Sequence, residues 1–266
     1  MHRKVLLRPS SLIFSLISAI SLFSGVTAYA VGLQTSWRSV EAGQPLKTWE
    51  SNGLKSLRKL TSREKDPSTS QLASWRGVLL EDLMNSSLDG LSGDRRAQVD
   101  LIVLRNSTGH ESFLPRSLVT KYPLMLASER DKKEMSTLTL VLPWSSKPRI
   151  KSENLPLENY FIQDLTSIEF TTYSTRYTPL FLKARTDPLA VRGEKLFVQN
   201  CTSCHSGASP SATKQLSITE LSNETQARNL ASTGHPTVTG MPQLQDHDKR
   251  ALVSYLNAYR IERQKH

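Results

Sequence analysis

Apolar positions between residues 99 and 173 come in short strand-like runs. "VDLIVLRN" (99–106) is rich in branched residues, and "TLTLVLPW" (137–144) and "DLTSIEFTTY" (164–173) alternate apolar with polar. Each run predicts a strand. Between them, "WRGVLLEDLMNSSL" (75–88) and "PRSLVTKYPLMLAS" (115–128) read as helix or loop, and Gly, Pro, Asn and Ser separate the pieces. Residues 44–183 are therefore expected to form a mixed α+β domain, preceded by a lead-in over 31–43. "LKSLRKLTSREK" (54–65) has five basic residues and one acid. It reads as a solvated helix face, with partner docking as the second reading.

The period changes after residue 183. Asp187-Pro188 is a helix start, with an acceptor at the N-cap and Pro at the first helical position. Leu189, Arg192/Gly193, Leu196 and Phe197 then follow at helical spacing. Near the end, "DHDKRALVSYLNAYR" places Leu252, Tyr255, Leu256 and Tyr259 on one face. Residues 184–266 are expected to be all-helical.

The first 30 residues have a third pattern. Arg3, Lys4 and Arg8 precede an apolar run from Leu12 to Val26, and Ala28-Tyr29-Ala30 follows. A basic start, a short apolar core and a small-x-small ending predict a signal peptide cleaved after Ala30, and hence a periplasmic protein. The run is shorter than the roughly 20 residues of a membrane span; a retained N-terminal anchor is the alternative, and the only route to a membrane.

Charge adds little. Without residues 1–30 the formal charge falls from +10 to +7, with +4 over residues 31–183 and +3 over 184–266. No basic run is long enough for a nucleic-acid arm. A mildly positive surface keeps a protein soluble and can steer an acidic redox partner.

Candidate chemistry is concentrated in "NCTSCHSG" (200–207), which holds both cysteines of the chain. Cys201-Thr202-Ser203-Cys204-His205 has the spacing of c-type haem attachment. Two thioethers form to the porphyrin vinyl groups, and the adjacent His ligates iron. A thioredoxin-like pair wants a preceding strand, whereas here the motif follows a helical pattern. A zinc site needs two more ligands, and only His110, His235 and His247 remain in the mature interior. A plain disulfide leaves the His unexplained.

The flanking residues resemble class I c-type cytochromes over residues 186 to about 262. Gly193 and Phe197 match the Gly-x-x-x-aromatic of that family's first helix, ahead of Cys201, and Leu252, Tyr255 and Leu256 match the Leu-x-x-Tyr-Leu of its last. The resemblance implies one covalent haem, shielded by Gly193, Phe197, Leu252 and Tyr255 where the two helices cross. Gly240-Met241-Pro242 resembles the family's methionine loop. This implies His205 and Met241 as axial iron ligands, with His235, His247 or an open site as alternatives. Pro210 is a candidate for the carbonyl that orients His205, though its spacing is shorter than usual in the family.

The order of residues 44–183 resembles the molybdopterin-binding domain of the sulfite oxidase superfamily. "LKTWESNGLKSL", "WRGVLLEDLM", "VDLIVLRNSTGHESFLPRSLV", "YPLMLAS…LTLVLPW" and "YFIQDLTSIEF" follow that domain's succession of segments. Active members hold molybdenum through a cysteine thiolate, and both cysteines here belong to the haem motif. The resemblance therefore implies a binding or docking module without molybdopterin. His110, in the "NSTGHES" turn, reads as a solvent-facing polar residue. The expected function is single-electron transfer between protein partners, with no catalytic residue. The alternatives are a haem-coupled molybdopterin oxidoreductase of sulfite dehydrogenase type, or a haem-based sensor.

Overall fold

The structure, a computed structural model, describes residues 32–39, 43–153, 155, 157–205, 217–232 and 244–264. The front part is a nine-stranded sheet with short helices against it. Its strands are β1 (Leu33–Arg38), β2 (Gly43–Trp49), β3 (Lys59–Lys65), β4 (Leu72–Leu79), β5 (Leu101–Asn106), β6 (Glu111–Pro115), β7 (Met125–Arg130), β8 (Lys133–Val141) and β9 (Ile162–Thr171). The helices between them are α1 (Ser51–Lys55), α2 (Leu80–Leu88), α3 (Gly93–Gln98) and α4 (Arg116–Lys121). The order is β2-β1-β9-β8-β7-β4-β3, and β5 pairs with β6 and β9. β9 is the hub: β5 and β8 run antiparallel to it and β1 parallel.

All three strand-like runs contain strands, and each of the two ambiguous segments divides into strand and helix. Residues 75–88 supply the end of β4 and all of α2. Residues 115–128 supply the end of β6, α4 and the start of β7. At Gly77, β7 approaches so closely that a Cβ would lie 2.0 Å from the Leu126 carbonyl oxygen. Residues 33–38, expected only as a lead-in, are a sheet strand between β2 and β9. The basic segment 54–65 is not a continuous helix face. α1 ends at Lys55, and Lys59–Lys65 pairs with β4. Alternation decides this: within β3, Leu60, Ser62 and Glu64 turn inward, and the buried Glu64 carboxylate accepts from Ser145 N (2.6 Å) and Ser62 Oγ (2.7 Å).

The back part consists of α6 (Pro188–Asn200), α7 (Thr202–His205), α8 (Ile218–Leu221), α9 (Glu224–Ser232) and α10 (Asp246–Gln264), reached through α5 (Tyr173–Tyr177). Asp187 Oδ1 accepts from Leu189 N at 2.9 Å, and Pro188 begins α6, the start that the sequence signals.

The two parts share a core. Along β5, Ile102 and Leu104 enter the sheet's main cluster with Trp49, Leu83, Met84 and Phe170. Leu101 and Val103 point the other way, into a cluster with Phe113, Tyr173, Tyr177, Phe197, Leu252 and Tyr255. A strand buried on both faces reads as an unbroken apolar run, which explains "LIVL". The connection between the parts is strapped down as well. Leu182 N donates to Glu194 Oε2 (2.7 Å), and Lys183 N and Ala184 N donate to Glu262 (2.9 and 2.8 Å). Tyr255 Oη donates to Leu180 O (2.6 Å), and Arg263 donates to Pro179 O (2.7 Å).

Candidate haem site

α6 delivers the attachment segment. Cys201 N donates to Phe197 O at 2.8 Å, and His205 N donates to Cys201 O at 2.8 Å. Residues 201–205 therefore continue as one more helical turn, which is the geometry two thioethers on one porphyrin edge need. Thr202, between the cysteines, is buried, and its hydroxyl donates to Val198 O at 2.7 Å. Cys201 and His205 are half-buried, and Cys201 packs against the cluster that holds Phe197, Leu252 and Tyr255.

α10 crosses α6 at Gly193. A Cβ there would lie 1.9 Å from the Ala251 carbonyl oxygen and 2.7 Å from Tyr255 Cβ, so only hydrogen fits. Phe197 and Tyr255 pack with ring centroids 5.4 Å apart, and Tyr255 and Tyr259 follow at 6.1 Å. Gly193, Phe197, Leu252 and Tyr255 thus come together as one buried patch immediately ahead of Cys201. Burial pushes the Tyr255 hydroxyl far above its ordinary pKa, so it stays protonated and keeps its bond to Leu180 O.

The donor set fits a covalent haem. The turn provides two thiol positions, then a histidine, with an aromatic and aliphatic patch to exclude water. Cys201, Cys204 and His205 are the residues that would hold it, and the haem would supply one-electron iron chemistry. Met241, His235 and Pro210 lie outside the described residues. His247 sits in the first turn of α10, its Nε2 3.2 Å from Asp248 Oδ1. His110 closes the β5–β6 turn on the sheet part, its amide donating to Asn106 Oδ1 at 2.8 Å; it is half-buried rather than solvent-facing.

Two contributors escape the sequence pattern. Glu194 is 1% exposed, accepts from Leu182 N and is ion-paired with Arg185. Its signal was present, since it lies in the same inward stripe as Ala190, Gly193 and Phe197, where an acid is out of place. Tyr177, whose ring packs against Phe113 at 5.9 Å, carried no such signal.

A helical turn carrying Cys-x-x-Cys-His, on a helix that crosses a C-terminal helix at glycine, is the arrangement expected of a c-type cytochrome domain. Residues 188–256 match the family model described as cytochrome c oxidase, cbb3-type, subunit III. The match supports a C-terminal cytochrome c domain, with haem, electron transfer and redox protein partners as its associated properties. No curated protein matches the chain. Among the described residues, no helix is long and apolar enough to cross a membrane.

Proposed function

We propose that the protein is a periplasmic monohaem cytochrome c that passes single electrons between protein partners. Cys201 and Cys204 hold the haem through thioethers, and His205 and Met241 ligate its iron. The observation that carries this reading is the helical turn at 201–205, set directly behind the Gly193 crossing inside the matched region. His/Met ligation raises the reduction potential relative to His/His, which suits a carrier in an oxidising compartment. The N-terminal segment serves as a cleaved signal peptide, because haem attachment and a periplasmic site both require export.

The front domain serves as a docking module that takes no part in chemistry. Its order of segments resembles the sulfite oxidase superfamily, yet its only candidate metal thiolates belong to the haem motif. The strapped connection at 179–187 supports a single unit that presents haem and docking surface in fixed relation.

The test is purification of the exported full chain. It is expected to carry one haem that resists acid–acetone extraction and to contain no stoichiometric molybdenum. Extractable haem after denaturation, or equimolar molybdenum, overturns the respective half of the proposal.

A further inference from the structure

Three tyrosine hydroxyls are buried where the sheet meets the helices. Tyr160 ends the 3-10 turn Leu157–Tyr160, and Tyr173 and Tyr177 begin and end α5. The three residues are 1%, 6% and 5% exposed, and none of the hydroxyls has a hydrogen-bond partner among the described residues. Tyr173 and Tyr177 stack with centroids 6.4 Å apart, and the Leu157–Tyr160 turn packs on β6, which carries Phe113 beneath Tyr177. Burial raises the pKa of all three phenols, Tyr177 to about 12, and the groups are near enough to add to one another's shift.

Two acceptors border this cluster. The Tyr177 hydroxyl lies near Thr202 and Arg176, with no hydrogen bond of normal length and angle to either. Thr202 Oγ1 gives its own proton to Val198 O and keeps a lone pair free. Asp100 accepts from Tyr173 N at 2.8 Å and lies close enough to raise that phenol's pKa.

An unpaired buried hydroxyl costs about 1–3 kcal/mol, so three at one junction would consume much of an ordinary domain's stability. Phenylalanine would fill the same space at no such cost. A buried water is stable where it finds two to four polar partners, and the three phenols with Thr202 supply them.

We infer that Tyr160, Tyr173 and Tyr177 line a buried hydration site that binds ordered water and, through Thr202 Oγ1, ties the front domain to the segment between the two attachment cysteines. Each water accepts from at most two of the phenols, and one water donates to Thr202 Oγ1. This inference stands on packing and does not depend on the haem proposal, which is tested separately by covalent attachment.

The test uses the full-length holoprotein and four conservative variants: Tyr160→Phe, Tyr173→Phe, Tyr177→Phe, and Tyr255→Phe as benchmark, because the Tyr255 hydroxyl has a protein partner. With water bound, each junction variant lowers the thermal midpoint as the benchmark does, by about 2–4 °C. An unchanged or raised midpoint in the junction variants overturns the site, because deleting an unpaired hydroxyl relieves a cost. A double-mutant cycle of Tyr177→Phe with Thr202→Val tests the link to the attachment segment. Non-additive midpoints are expected, and additive ones overturn that link.

Discussion

Gly193 on α6 meets the Ala251 carbonyl on α10 with no room for a methyl group: a Cβ would stand 1.9 Å from the oxygen and 2.5 Å from the carbonyl carbon. Both obstacles are backbone, so neither can rotate away. Gly193→Ala is expected to force the helices apart and cost about 3 kcal/mol, the upper end of overpacking penalties. Urea denaturation of the holoprotein measures it. Because the crossing lies beside the attachment turn, the same variant should bind carbon monoxide faster when reduced. A variant with wild-type stability would show that the helices separate freely at this point.

Glu194 holds the connection between the two parts. Glu194→Ala leaves Leu182 N buried without its acceptor, at about 1–3 kcal/mol. The pairing with half-exposed Arg185 adds at most about 1 kcal/mol. The variant is expected to become sensitive to limited proteolysis between Leu182 and Asp187, whereas Glu194→Gln, which keeps an acceptor oxygen, should resist. Equal cleavage of both variants would show that charge, and not the amide's partner, holds the strap.

The buried phenols predict an alkaline limit. Their folded pKa values lie above the ordinary value of 10, with Tyr177 at about 12. The unfolded chain therefore loses protons first as pH rises past 10. Stability contributed by these groups is complete below about pH 10 and falls between that value and the folded pKa. Tyr177 alone accounts for about 3 kcal/mol over two pH units. Urea midpoints from pH 8 to 12 should fall steeply above 10, and less steeply in Tyr177→Phe. Phenolate absorbance titrating fully at pH 10 in folded protein would contradict this.

Met241 is the proposed sixth ligand. Met241→Ala is expected to lower the reduction potential and to open the reduced iron to carbon monoxide, both read spectroscopically during a redox titration. If neither changes, the sixth ligand is another group, with His235 the next to test.

Cys201 and Cys204 are expected to act independently. Cys201→Ser or Cys204→Ser should retain haem through one thioether, and the double variant should lose covalent haem altogether. Mass spectrometry of the denatured protein distinguishes these outcomes, and covalent haem in the double variant would rule out the attachment assignment.

Local pattern was sufficient for part of this molecule. The proposed attachment at Cys201–His205 was legible without help from the fold, because it depends on spacing within one helical turn. Asp187-Pro188 sets the start of α6, a branched apolar run marks β5 and alternation marks β8 and β9, because caps and periodicity act over a few neighbouring residues. Tertiary structure decided what those signals cannot carry. "LIVL" shows that residues 101–104 are buried, but only the fold shows that Leu101 and Val103 face the helices while Ile102 and Leu104 face the sheet's own core. The charges of residues 54–65 suggested a solvated helix; pairing with β4 made Lys59–Lys65 a strand, because ladder bonds with a distant segment outweigh local propensity. Glu194 and Tyr177 matter through Leu182 and Phe113, residues brought to them by packing. Motifs record chemistry within a turn or two of chain, whereas the union of the two halves depends on contacts between distant segments.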